Sequence, residues 1–266
     1  MTYENTASNA RLIIRIGMSS LSFSTNSLEQ VEWATFPLNS GISMAANMRE
    51  ALRSQPLAAA HYQRVLAMVD TPVLMVPIDL FHEDQVEMLY CHAFGPSQQK
   101  VVRYTVFSDL NCVAVFTVGR DLSMVLTDRY GNVRFIPVAA PVWRHLHQRS
   151  YTGPHNKLYA YYHDRRLEVF SFGDNRFKFY NSYVVNNQND ALYYLLAAWK
   201  QAGLQAEHDE MYLAGELPDS DALTEEARKF VKRVFRINPS GEFNRSAVTQ
   251  IEGMPYDLMV LYIKGR

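Results

Sequence analysis

Residues 11–37 read RLIIRIGMSSLSFSTNSLEQVEWATFP, and residues 157–183 read KLYAYYHDRRLEVFSFGDNRFKFYNSY. In the first stretch, 11–16 is apolar on both faces apart from Arg15, as a central strand covered on both sides reads. Gly17 to Ser20 is a tight turn, 21–25 a returning strand, Asn26-Ser27 another turn, and 31–37 an alternating third strand. Ser43 can cap a following helix that places Met44, Met48, Ala51 and Leu52 on one face. The second stretch repeats this order. Strand 157–163, a turn at 164–166, strand 167–172, the turn signal Gly173-Asp174-Asn175 and strand 176–184 lead to a helix capped within 187–189. That helix has Ala191, Leu192, Leu195, Leu196, Trp199 and Ala202 on its inner stripe, and Gly203 stops it.

An ungapped offset of 146 carries Arg11 onto Lys157, Leu12 onto Leu158, Leu21 onto Leu167, Val31 onto Phe177, Trp33 onto Phe179 and Ala45 onto Ala191. Repetition of the same element order in step points to a duplicated unit. Each half then continues in α/β style. Strands are expected at 64–69, 104–107, 112–118, 133–138 and 210–214, a short apolar segment at 73–77, and helices at 83–94, 121–130, 142–148 and 222–235. The tail 256–263 is apolar and of ambiguous type. Turn formers at 150–156 place the boundary between a first lobe at 1–153 and a second at 154–266. Residues 1–9 are polar and read as a flexible leader.

The composition fits this. The chain has 266 residues, 48% apolar and 20% charged, a globular balance able to bury a core without staples. A net charge of −1 provides no whole-chain basic field for nucleic acid or an anionic membrane. No apolar run reaches the ~20 residues that span a bilayer, and no basic and apolar N-terminal signal precedes the polar start. These features imply a soluble cytoplasmic protein. Cys91 and Cys112 make no disulfide framework and read as buried thiols.

Two βββαβα units in one chain resemble the actin-like ATPase superfamily (ribonuclease H-like), which includes sugar kinases, heat-shock ATPases and the pilus-assembly and cell-division relatives of actin. More narrowly, the chain resembles a bacterial family known as a domain of unknown function and assigned that fold. In ATP-using members each half has a phosphate-wrapping β-hairpin whose first strand ends in Asp-x-Gly. The Gly admits phosphate to the backbone, and the Asp orients Mg²⁺ and water. Here Arg15-Ile16-Gly17-Met18-Ser19-Ser20 keeps the Gly and serines but has Arg15 for the Asp. In the second hairpin Tyr161 replaces the Asp and His163 the Gly. The resemblance therefore implies a binding or scaffold protein that has lost ATP hydrolysis, with no catalytic residue, cofactor or metal assigned and a protein partner as the ligand class. The alternative is an ATP-dependent phosphotransferase or nucleotide hydrolase with relocated carboxylates, for which Ser19, Ser20, Gly215 and Glu216 are the cleft candidates. Leu213-Ala214-Gly215-Glu216 resembles the superfamily's adenosine motif, although a strand-to-helix turn needs one Gly in any α/β fold. A nuclease of ribonuclease H type would need clustered carboxylates where Arg15 stands.

Other candidates have simpler explanations. His145 and His147, near His155 and His163, would share a face on a strand but not on the short helix expected here, and are read as solvated histidines. The basic stretch 228–236 is read as the end of one amphipathic helix, with Ala227, Phe230, Val231, Val234 and Phe235 inward and acids at its start, as the helix dipole favours. Asp70, Asp79, Asp109, Asp128 and Asp174 sit at strand ends and turns, where Asp70 and Asp109 are the minority candidates for a metal site. No G-x-S-x-G, Walker loop, G-x-G-x-x-G or C-x-x-C occurs.

Overall fold

A computed structural model describes residues 8–26, 31–217 and 219–265. In chain order the first half contains β1 (Ser8–Ile16), β2 (Ser20–Asn26), β3 (Val31–Pro37), α1 (Met44–Ser54), α2 (Pro56–Ala59), β4 (Tyr62–Val69), β5 (Val73–Pro77), α3 (Val86–Phe94), β6 (Lys100–Phe107), β7 (Cys112–Gly119), α4 (Arg120–Tyr130) and β8 (Val133–Pro137). Then follow α5 (Ala140–Ser150), β9 (Lys157–His163), β10 (Arg166–Gly173), β11 (Arg176–Val184), α6 (Gln188–Gln201), β12 (Glu210–Gly215), α7 (Ser220–Arg228), β13 (Arg233–Arg236), α8 (Pro239–Glu242) and α9 (Tyr256–Lys264). Two five-stranded sheets have the same topology, β3-β2-β1-β4-β8 and β11-β10-β9-β12-β13, and β5-β7-β6 form a third.

The duplication is present at the level of hydrogen-bond register. Arg15 pairs antiparallel with Ser22 and parallel with Met68. The residues an offset of 146 further on, Tyr161, Glu168 and Ala214, pair in the same way. The two sheets differ at the third strand, where a bulge between Ser171 and Phe172 shifts the β10–β11 register. A bulge adds one residue and local twist without ending the pairing.

Each central strand is buried on both faces. Leu12, Ile13 and Ile14 in β1 and Leu158, Tyr159 and Ala160 in β9 are 0–1% exposed. The caps form as their sequences dictate. Ser43 Oγ accepts from the Ala46 amide at 3.2 Å, and Asn187 Oδ1 accepts from Asp190 at 3.0 Å. Gly203, at φ +68°, ends α6. The stripe of α6 closes the core of the second sheet, with Ala191, Leu195, Ala198 and Trp199 packed over Leu158, Ala160, Leu167 and Leu213.

Packing divides the chain into two compact units. One comprises Met1–Leu74, His82–Thr105 and Ala114–Val138, and the other Met75–Phe81, Val106–Val113 and Ala139–Arg266. Within the second unit, α5 packs on α9, β9 and β10.

Two expectations are corrected. The helix expected over 222–235 stops at Arg228, and Arg233–Arg236 is strand β13, paired in parallel with β12. Val231 and Val234 are buried there at 1% and 2%, while Phe230 and Phe235 are exposed. The bare edge of β12 gains a ladder that helix propensity alone does not anticipate. Second, β1 begins at Ser8, so the leader expected over 1–9 ends in strand. Residues 1–7, and Ser27 of the Asn26-Ser27 turn, lie outside the described residues. The tail, ambiguous in the sequence, is helix α9. Among the described residues, no helix is long and apolar enough to cross a membrane.

Candidate functional site

The two β-hairpins at matching register are the positions where phosphate chemistry would be expected. In the first, the Gly17 amide donates to the Ser20 carbonyl at 3.0 Å and Leu38 donates to the Ser19 carbonyl at 3.0 Å. Ser19 is exposed at the tip and Ser20 half-buried. Arg15 is buried, 3% exposed, near the end of β1.

The second hairpin turns through Asp164 and Arg165, both left-handed at φ +45° and +66°. This is the geometry of a two-residue primed turn. Its backbone is engaged, since Val185 donates to the Arg165 carbonyl at 2.8 Å, and the Arg165 guanidinium donates to Asn186 Oδ1. Just inside the tip, His163 is 4% exposed, with Nε2 3.2 Å from Glu168 Oε1. Glu168 is 2% exposed and accepts from Trp143 Nε1 at 2.9 Å and Tyr180 Oη at 3.2 Å. Several donors make a buried carboxylate tolerable that would otherwise be costly. The Tyr161 ring stacks on His163 at 4.9 Å, and its hydroxyl donates to Asp257 Oδ2 at 2.6 Å. Asp257 is fully buried in the first turn of α9. The buried carboxylates of Glu168 and Asp257 are thus each hydrogen-bonded to aromatic side chains.

At the end of β12, Gly215 lies at φ +88°, and a Cβ there would sit 2.0 Å from the Tyr162 carbonyl oxygen. The glycine is demanded by the approach of β9, which explains it without a nucleotide. Glu216 is exposed just beyond.

Sequence reasoning missed a further cluster of the same unit. Glu242, at the end of α8, lies 3.0 Å from His145 Nε2 and accepts from Arg149 Nη1 at 2.8 Å and Tyr256 Oη at 2.7 Å. Burial pushes the Glu242 carboxyl up, but its bonds to His145 and Tyr256 and the charges of His145 and Arg149 outweigh this and hold it below the ordinary range. The same burial and Glu242 push the Tyr256 phenol up. Glu168 could have been noticed as a charge inside an otherwise apolar strand. Glu242 and Asp257 carry no such signal, because their partners come from distant elements.

His145 and His147 lie on a helix, as expected, but they are not solvated. His145 packs on Phe243 at 5.2 Å, and His147 is 5% exposed between Tyr151 and Phe172. The correction arises because α9 and β10 cover α5 on the side that the sequence alone leaves open. His155 is half-buried elsewhere. Asp109 pairs with Arg144 at 2.5 Å, and Asp174 occupies a left-handed turn position at φ +53°. Cys112 is buried and its thiol pushed up to about 12 by desolvation, then by Asp109, which makes it inert; Cys91 is half-buried.

The sequence pattern of the family described as "Protein of unknown function (DUF3822)" matches residues 2–234. No curated protein matches the chain. Among solved structures, a Bacteroides thetaiotaomicron VPI-5482 protein described as having an actin-like ATPase fold and unknown function is 26% identical, covers 95% of this chain and all of its own, and superposes with a TM-score of 0.84. A chain of the PilM-PilN type IV pilus biogenesis complex is 13% identical, with coverages of 96% and 97% and a TM-score of 0.57. The chain belongs to the DUF3822 family and has the actin-like ATPase fold.

Proposed function

We propose that this member of the DUF3822 family is a non-catalytic binding or scaffold protein, an actin-like fold that has lost ATP hydrolysis and acts on a protein partner in the cytoplasm. The observation that carries the reading is the shared hairpin register. The matching register of Arg15 and Tyr161 supports reading them, with His163, as replacements for the two carboxylates and the glycine of an ATP-using hairpin pair. Use of the fold to engage a protein has a parallel in the PilM-PilN complex, an analogy of fold only.

One observation favours a phosphotransferase or nucleotide hydrolase with relocated carboxylates. Asp257 stands 2.6 Å from the Tyr161 hydroxyl, beside the position of the missing acid, and Ser19, Ser20 and the Gly215 turn remain. The scaffold reading is favoured because Asp257 is fully buried and already accepts a hydrogen bond. Thermal denaturation in millimolar Mg-ATP separates the two. The scaffold reading expects no change in melting temperature and no phosphate release. A rise of about 5 °C or more at a hundredfold excess over Kd, with turnover abolished by Asp257→Asn, would establish the enzyme instead.

A further inference from the structure

The groove between α1 and α4 has an unbalanced charge. It is open, with a volume of ≈ 430 Å³, and is lined by Arg49, Leu52, Arg53, Val125, Asp128 and Arg129. Arg49 and Arg53 are one turn apart on α1 and exposed. Among the described residues, neither has a hydrogen-bond or ion-pair partner. Arg129 faces them from α4 and is held in place. It donates to the Ala59 carbonyl and lies over the Tyr130 ring at 5.7 Å, while Tyr130 Oη donates to the Ala58 carbonyl at 2.6 Å. Three guanidiniums against the single carboxylate of Asp128 leave a local charge of +2 on a chain whose net charge is −1.

Helix-end electrostatics account for part of this. Arg53 and Arg129 are in the last turns of their helices, where cations are favoured. Arg49 lies earlier in α1, and placing it one turn from Arg53 is mildly repulsive. The partial negative charge of the helix ends is smaller than the three whole positive ones. The floor is apolar, with Leu52 half-buried and Val125 8% exposed, and Met124, 56% exposed, precedes Asp128 by one turn.

We infer that this groove docks an acidic segment of a partner protein, with its carboxylates on Arg49, Arg53 and Arg129 and an apolar side chain on Leu52 and Val125. The open shape suits a peptide better than an enclosed small molecule. The apolar floor and Asp128 suit a mixed acidic and apolar chain better than a nucleic-acid backbone. The inference stands whether or not the hairpins handle nucleotide.

The test is fluorescence anisotropy of the full chain at 0.15 M salt with a fluorescein-labelled peptide of repeating Glu-Glu-Leu. Binding is expected to this peptide and not to its Lys-Lys-Leu counterpart. Arg49→Ala with Arg53→Ala should raise Kd about tenfold, while Arg176→Ala, an exposed arginine elsewhere, leaves it unchanged. An unchanged melting temperature in the double variant assigns the loss to the groove. Absence of acidic-peptide binding by the wild type, equal binding by the double variant, or tighter binding of duplex DNA in the same assay overturns the inference.

Discussion

Gly215 shows how a residue selected by a backbone can resemble one selected by a ligand. Its left-handed φ of +88° admits glycine readily, and the 2.0 Å from a built Cβ to the Tyr162 carbonyl leaves no room for a side chain. Gly203, at φ +68°, has the same backbone requirement with nothing within 4 Å of its Cβ. The pair separates strain from collision. Gly203→Ala should cost about 1 kcal/mol, the left-handed penalty alone. Gly215→Ala should cost roughly 3 kcal/mol, since overpacking against backbone adds to that penalty. Urea denaturation of both variants checks the difference, and equal losses would mean that β9 does not crowd Gly215. The sequence marks Gly215 as a turn glycine, but the crowding strand lies far away in the chain. Arg15, Tyr161 and His163 were readable because they depend on local alternation and a constant offset. Asp257 was not, because its partner Tyr161 is brought to it by tertiary packing.

Among elements, β13 tests packing against propensity. The stretch 228–236 has helical spacing of apolar residues, yet it ends one helix and supplies an edge strand. Val234 is 2% exposed in that strand, and Met211 opposite it is fully buried. Alanine is a better helix former than valine by several tenths of a kcal/mol, so Val234→Ala would stabilise a helix here. In the strand it removes buried methyl groups and β propensity, and should destabilise by about 1–2 kcal/mol. The sign of the change in thermal or urea denaturation decides between them. The remaining elements followed their local signals more faithfully. Ser43 and Asn187 cap where side-chain chemistry favours it, and β1 and β9 are buried on both faces as continuous apolar runs suggest. Short edge strands depend on whichever neighbour lacks a partner, which local sequence does not encode.

At the scale of the whole molecule, the duplication was legible because strand register follows side-chain alternation, which an ungapped offset preserves. The packing of α5, α8 and α9 around buried acids was not, and it governs how the protein responds to pH. Burial pushes the His147 imidazole below its ordinary 6.5, with Asp109 opposing in part. The unfolded chain therefore takes up this proton first as pH falls. Its contribution is fully present above about pH 6.5 and is lost as pH falls through the lower folded value. Glu242 acts in the same direction in a lower window, because its folded carboxyl lies below the ordinary 4.5. At the alkaline end Tyr256 reverses the sign. Its raised phenol contributes below pH 10.0, and that contribution is lost as pH rises further. The expected profile is a plateau above pH 6.5 with an acid limb in two stages. His147→Gln should remove the stage that begins near pH 6.5, and Glu242→Gln the one that begins near pH 4.5. Melting temperatures recorded from pH 3 to pH 9 for the three proteins measure both. If the upper stage persists unchanged in His147→Gln, a different group controls it. The covering of α5 would then not govern the acid response.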